Sequence, residues 1–160
     1  MKKKKGGIST VFVCMIGLAI MTYGFVQYTC HNITLIKYET ISQYVRDSLL
    51  ILETQGQITP TYLKDTKTSL SSKLDIKSSL GENFKMYVKY GNNNYIEVSN
   101  LSTTLVPDFG DDITIKATLN YLEKSISYNN EFLKPTTTKS LQTMEIELSS
   151  LSKNRRTSDG

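Results

Sequence analysis

The uncharged stretch from Ile8 to Cys30 constrains this chain more than any other feature of its sequence. It is about 23 residues long, and roughly 20 apolar residues suffice for an α-helix to cross the hydrocarbon of a bilayer. Cytoplasmic flanks of membrane spans carry an excess of lysine and arginine. The sequence therefore predicts a single-pass protein of the cell membrane, with a cytoplasmic N-terminus and an extracytoplasmic C-terminal domain. The topology determinants are the leader lysines Lys2, Lys3, Lys4 and Lys5.

The charge of the rest of the chain argues against a nucleic-acid partner. The formal net charge is +4, and the four leader lysines carry that many positive charges, so the remainder is near neutral. No basic stripe interleaved with aromatic residues follows the apolar stretch, as a nucleic-acid-binding surface would require. After the anchor is subtracted, 160 residues leave room for one small domain. Membrane lipid is the partner that the sequence predicts, and no small-molecule substrate is evident.

One alternative to a permanent anchor concerns the apolar stretch itself. A cleaved secretory signal fits the basic leader, but the stretch is long for a signal peptide and no clean small-x-small cleavage site follows.

Cys14 and Cys30 would lie about 24 Å apart on one helix, so they cannot pair within a chain. Cys14 is interpreted as a small apolar residue, whereas for Cys30 an intermolecular disulfide remains an alternative.

The helix is predicted to continue beyond the membrane. No Gly or Pro occurs between Phe25 and Gln55, and Gly56 is a plausible helix stop. We therefore expect one helix over residues 8–55, with residues 8–30 in lipid and residues 31–56 as an amphipathic extension that packs on the globular part. A break near His31 is the alternative. The apolar stripe of this extension comprises Ile41, Val45, Leu49 and Leu52, which recur at helical spacing.

A second helix is predicted after the turn at Gly56. Thr59 is a good N-cap, and Pro60 suits the first helical position. The helix is expected to end between Ser78 and Gly81. Its apolar stripe comprises Leu63, Thr66, Leu70 and Leu74.

Beyond this helix the hydrophobic period changes to that of strands. Residues 84–90 and 95–98 flank the turn Gly91-Asn92-Asn93-Asn94 and predict a hairpin, and residues 112–122 predict the longest strand. The sequence leaves residues 134–138 as a linker or extended strand, and residues 143–148 as a last strand or helical turn. Residues 149–160 have the composition of a disordered tail. The predicted fold class is α+β, with residues 57–148 forming the extracytoplasmic domain.

The sequence predicts no catalytic site, cofactor or metal. It has no P-loop, no GxGxxG and one histidine, His31, which fits an interfacial polar residue. Asp108, Asp111 and Asp112 cluster in one loop and could supply oxygens to calcium, but their spacing does not match an EF-hand. A turn or strand cap is the preferred interpretation of this cluster. The chain is therefore predicted not to be an enzyme.

Three segments carry a family resemblance. They are Lys5-Gly6-Gly7-Ile8-Ser9-Thr10-Val11-Phe12-Val13, the helix end from Tyr44 to Thr59, and Phe109-Gly110-Asp111-Asp112-Ile113-Thr114-Ile115. Together with the layout of basic leader, long helix and small sheet, the chain resembles the type IV pilin-like proteins. In particular it resembles the TadE-like minor pilins, or pseudopilins, of Tad-type systems and related small proteins of Gram-positive bacteria.

The resemblance implies a function, a processing step and partners. In that group a prepilin peptidase cuts after a glycine at the end of the leader, so the candidate cleavage region is Gly6, Gly7 and Ile8. The implied function is a non-catalytic minor subunit of a surface filament or of a secretion or DNA-uptake apparatus. Other pilin-like subunits and a prepilin peptidase are the implied partners.

One position departs from the family pattern. The family usually carries a glutamate at the fifth residue after the cut, where this chain has Phe12 for a cut after Gly7, or Val11 for a cut after Gly6. The alternative function is therefore a single-pass, membrane-tethered extracytoplasmic protein with a binding or structural role.

Overall fold

The structure is a computed structural model, and it describes residues 7–129 and 134–153. Its elements are two α-helices, α1 (Gly7–Gln55) and α2 (Pro60–Lys73), and four strands, β1 (Asn83–Tyr90), β2 (Ile96–Glu97), β3 (Asp112–Asn129) and β4 (Lys134–Leu151). The strands form one sheet in the order β2-β1-β3-β4. The chain divides into two compact units, Met1–Leu35 with Lys124–Thr138, and Ile36–Glu123 with Lys139–Gly160.

The sheet is antiparallel, as predicted. β1 pairs antiparallel with β2 and with β3, where Phe84 lies opposite Leu119 and Val88 opposite Ile115. The side chains of Thr114 and Ser149 at one end of β4, and of Asn120 and Thr143 further along it, are hydrogen bonded. These two contacts place β4 antiparallel to β3.

The core of the larger unit lies between one face of α1 and the inner face of the sheet. Each residue of the predicted stripe on α1 is buried, and so is each residue of the stripe on α2. The alternating residues of β3 are buried as well, which confirms the α+β class with a helix packed on a small antiparallel sheet. They are Ile113, Ile115, Ala117, Leu119 and Tyr121.

Several predicted boundaries were wrong. α2 ends at Lys73 rather than between Ser78 and Gly81, because Asp75 adopts a positive φ of 49° and a separate 3-10 turn covers Ser78–Leu80. The second strand of the hairpin keeps only Ile96–Glu97, since Val98 begins another 3-10 turn.

The C-terminal part of the chain departs most from expectation. β3 extends to Asn129 rather than Leu122, and the open alternatives for residues 134–138 and 143–148 resolve into the single strand β4. The predicted disordered tail was wrong at its beginning, because Ser149 and Leu151 belong to β4 and Ser152 is buried. The remaining tail, residues 154–160, lies outside the described residues.

Candidate functional site

The N-terminal part of α1 has the surface of a membrane-spanning helix. Among the described residues, α1 is the one helix that is long and apolar enough to cross a bilayer. Its large apolar side chains are exposed, with Phe12 at 66%, Leu18 at 65% and Met21 at 75%. A continuous apolar surface of this kind is unfavourable in water and suits contact with lipid or with another helix.

Two threonines of this segment form hydrogen bonds within the helix. The hydroxyl of Thr22 donates to the carbonyl of Leu18, and the hydroxyl of Thr29 donates to that of Phe25, both over 2.8 Å. In hydrocarbon an unsatisfied polar group costs several kcal/mol, so these bonds make both threonines compatible with lipid.

α1 runs unbroken through His31, which confirms the predicted continuous helix over the alternative of a break there. His31 is exposed, Cys14 is exposed and Cys30 is half-buried, and both cysteines are free thiols. Of the candidate cleavage region, Gly7 is the first residue of α1 and Ile8 lies in its first turn. Gly6 and the topology determinants Lys2, Lys3, Lys4 and Lys5 lie outside the described residues.

The acidic loop forms a turn that holds the end of β4. The backbone N–H of Asp108 donates to the Asp111 carboxylate over 3.0 Å, and the N–H of Asp111 donates to the Asp108 carbonyl over 3.1 Å. Gly110, at a φ of 83°, and Asp111 together bond to Ser152 through the backbone. Within residues 7–129 and 134–153, no group of three or more His, Cys, Asp or Glu side chains is arranged to hold a metal ion.

A second contact ties the end of α1 to the end of β4. Both carboxylate oxygens of Glu53 are occupied, one by an ion pair with the Lys153 ammonium and the other by the Ser150 hydroxyl over 3.1 Å. The hydrogen bond from Lys153 and then that from Ser150 lower the pKa of Glu53. Sequence analysis missed this contact because it joins residues about 100 positions apart, one of them in the segment predicted to be disordered.

The outer face of the sheet carries a cluster of paired charges. The Lys116 ammonium lies 2.6 Å from the Glu145 carboxylate, and the Tyr95 hydroxyl donates to Glu147 over 2.8 Å. The hydrogen bond to Glu145 raises the pKa of Lys116, and the hydrogen bond to Glu147 raises that of Tyr95. The Lys89 ammonium also lies 5.8 Å from the centre of the Tyr95 ring. Glu145 and Glu147 are therefore each engaged by a partner on this face.

Comparison with known proteins identifies no relative. No protein-family model matches the chain, and neither a curated protein nor a solved structure is significantly similar to it.

Proposed function

We propose that this chain is a pilin-like minor subunit of a surface filament or of a secretion or DNA-uptake apparatus, and that its role is structural and non-catalytic. The observation that carries the proposal is the unbroken helix α1, Gly7–Gln55. Its first part presents apolar side chains outward, and its last part packs on an antiparallel sheet through Val45, Leu49 and Leu52. A helix that is apolar all round suits lipid or a bundle of like helices.

The leader supports the same proposal. Cleavage after Gly6 or Gly7 would remove all four leader lysines. The remaining apolar stretch would carry no charged side chain, and the new N-terminal amine would be its one charged group. Lysines at the cytoplasmic end would otherwise hold the helix in the bilayer, since moving them through hydrocarbon is costly. A processed helix could therefore pass from the membrane into a bundle of copies.

We further propose that the protein is anchored in the cell membrane with its N-terminus in the cytoplasm and its sheet outside. The positive-inside rule supports this orientation through the four lysines before Gly6. No lysine or arginine follows the apolar stretch until Lys37, so the charge difference across the span is large.

The position of the missing glutamate favours a second candidate function. In the pilin-like proteins that glutamate is thought to pair with the new N-terminal amine of a neighbouring subunit, and this chain has Phe12 or Val11 there. A protein that remains tethered by an uncleaved α1 needs no such pair. The second candidate is therefore a permanently anchored extracytoplasmic protein with a binding or structural role.

Mechanical shearing of whole cells separates the two candidates. A filament subunit is recovered in the sheared surface fraction, whereas a tethered protein stays with the membranes. The test compares the wild type with a Gly6→Val, Gly7→Val double variant, which removes both candidate cleavage glycines, and with Thr10→Val as a matched control. We expect the wild type and the control in the sheared fraction and the double variant in the membrane. A wild type confined to the membrane would overturn the filament proposal.

A further inference from the structure

The two edges of the sheet differ in length and protection. β2 forms one edge with only two residues, whereas β4 forms the other with 18 residues, and among the described elements its neighbour is β3 alone. An exposed edge strand presents N–H and C=O groups that can pair with another strand, and proteins usually block such edges with lysine, proline or a bulge. Between Leu141 and Leu151 β4 contains no lysine or proline.

The register of β4 shows which of its backbone groups face outward. The N–H of Ser152 donates to the Asp111 carbonyl, and the N–H of Gly110 donates to the Ser152 carbonyl, both over 2.9 Å. Ser152 therefore bonds toward β3, and in a strand the bonding direction alternates from residue to residue. The residues whose backbone groups point to the open edge are Leu141, Thr143, Glu145, Glu147, Ser149 and Leu151.

The core is incomplete along the same edge. On the inner face of β4, Ile146 is buried, but its neighbours Met144 and Leu148 are only partly buried. The acids that could repel an incoming strand are already engaged, Glu145 by Lys116 and Glu147 by Tyr95. A further strand at this edge would cover Met144 and Leu148 and would bond the outward backbone groups.

The direction of β4 restricts how two copies can pair. The end of β4 lies beside the end of α1, where the Ser150 hydroxyl bonds to Glu53. At the other end of this helix segment, the Lys37 ammonium lies 5.4 Å from the centre of the Tyr121 ring. Tyr121 follows Asn120, which bonds to Thr143 in the earlier part of β4. β4 thus runs in the same direction as the Ile36–Gln55 segment of α1. Copies in one membrane whose sheets share one orientation have β4 strands that point the same way. Parallel pairing is then the arrangement open to them.

We infer that the β4 edge is a self-association surface, at which β4 of a second copy in the same membrane adds in parallel. This inference rests on the membrane anchoring of the proposed function. A half-turn about an axis along the strands, combined with a shift of one residue so that donors meet acceptors, turns the second sheet over. The two copies then project Glu145 and Glu147 on opposite faces, and these carboxylates do not lie opposite each other. The outward residues of one copy then lie beside Met144 and Leu148 of the other.

Hydrogen exchange of single amides tests the pairing on the purified, full-length protein. The protein is reconstituted in phosphatidylethanolamine and phosphatidylglycerol vesicles at low and at high protein-to-lipid ratio. At low ratio we expect slow exchange at Met144, Ile146 and Leu148 and fast exchange at Glu145 and Glu147. At high ratio the outward amides should slow at least tenfold. Outward amides that stay fast at high ratio, or that are already slow in isolated copies, would overturn the inference.

Proline at an outward position provides a matched variant. Glu145→Pro removes one outward N–H without removing a bond to β3, whereas Glu145→Gln keeps that N–H and loses the same ion pair with Lys116. We expect Glu145→Pro to lower the cross-linked dimer fraction at least fivefold and Glu145→Gln to change it less than twofold. Equal effects of the two variants would contradict a role for the backbone edge.

Distances between spin labels test the parallel direction. In parallel pairing each residue of β4 lies near its own counterpart, so labels at position 141 and, separately, at position 151 should both give intermolecular distances below about 25 Å, since paired strands lie about 4.8 Å apart. A distance well above 25 Å at either position, or at both, would show antiparallel pairing and overturn the arrangement. Cleavage of the leader is read from the mature N-terminus and does not depend on β4, so failure here is distinguishable from failure of the proposed function.

Discussion

The Glu82 carboxylate accepts a hydrogen bond from the backbone N–H of Leu122 over 3.1 Å, and its other oxygen accepts one from the N–H of Lys77 over 2.8 Å. A single side chain thereby joins β3 to the turn that precedes β1. Burial acts to raise the pKa of Glu82, but the donors at Lys77 and Leu122 and the charge of Lys37 together lower it.

We predict that Glu82→Gln lowers the free energy of unfolding by on the order of 1 kcal/mol at pH 7, because one charged acceptor of two backbone donors is lost. A lowered folded-state pKa stabilises the fold above the ordinary Glu value of 4.5, and this stabilisation is lost as the pH falls through the folded-state pKa. Urea unfolding in detergent, followed by circular dichroism from pH 7 to pH 3, measures the difference. The exposed Glu123→Gln serves as the control, and a difference between wild type and Glu82→Gln that does not shrink in acid would contradict this account.

Two leucines on α1 should differ sharply in their contribution to stability. Leu52 is fully buried in the core, whereas Leu50, two residues earlier, is 54% exposed. Leu52→Ala should cost about 2–5 kcal/mol through lost burial and a residual cavity, and Leu50→Ala should cost less than about 0.5 kcal/mol. Denaturant titration of both variants measures the two values. Similar losses would show that α1 does not pack on the sheet through this face.

The Ser48 hydroxyl is buried in the described structure without a hydrogen-bond partner. Burying an unsatisfied hydroxyl is costly, and alanine has the higher helix propensity. We predict that Ser48→Ala stabilises the domain by about 1 kcal/mol, with Ser42→Ala, at a less buried position of the same helix, as the comparison. A Ser48→Ala variant less stable than the wild type would reveal a partner for this hydroxyl.

Charges in the apolar part of α1 should prevent membrane integration. Each arginine at the centre of a span costs about 2.5–3.5 kcal/mol on insertion scales. We therefore expect Leu18→Arg with Met21→Arg to abolish resistance to carbonate extraction. The same pair of changes at Leu50 and Thr54, which are exposed residues further along α1, should leave extraction unchanged. If the Leu18→Arg, Met21→Arg variant still resisted carbonate extraction, this part of α1 would not be the membrane span.

The elements that could be predicted from the sequence are those whose pattern is local. α1 has helical periodicity without an interrupting Gly or Pro, and Thr59 bonds to the N–H of Tyr62 as an N-cap should. In the first part of β3, buried apolar residues alternate with less buried polar ones, apart from Thr114, which is also buried. In these segments the burial pattern and the intrinsic preference of the residues agree.

The remaining errors come from interactions between distant residues. The alternation of β3 ends near Glu123, yet the strand continues because β4 pairs beside it. β4 is rich in Ser and Thr, so only Met144, Ile146 and Leu148 mark its inner face, and three residues do not distinguish a strand from a helical turn. The contacts of Glu53 and Glu82 are equally long-range, so neither follows from local pattern.

The mature N-terminus of the membrane-bound protein tests the central proposal most directly. Mass spectrometry of the N-terminal peptide distinguishes cleavage within the candidate region from an intact leader. The pilin-like proposal predicts that the mature chain begins at Gly7 or Ile8, with all four leader lysines removed. A chain that still carries Met1 to Lys5 would contradict it and would leave a permanently tethered domain.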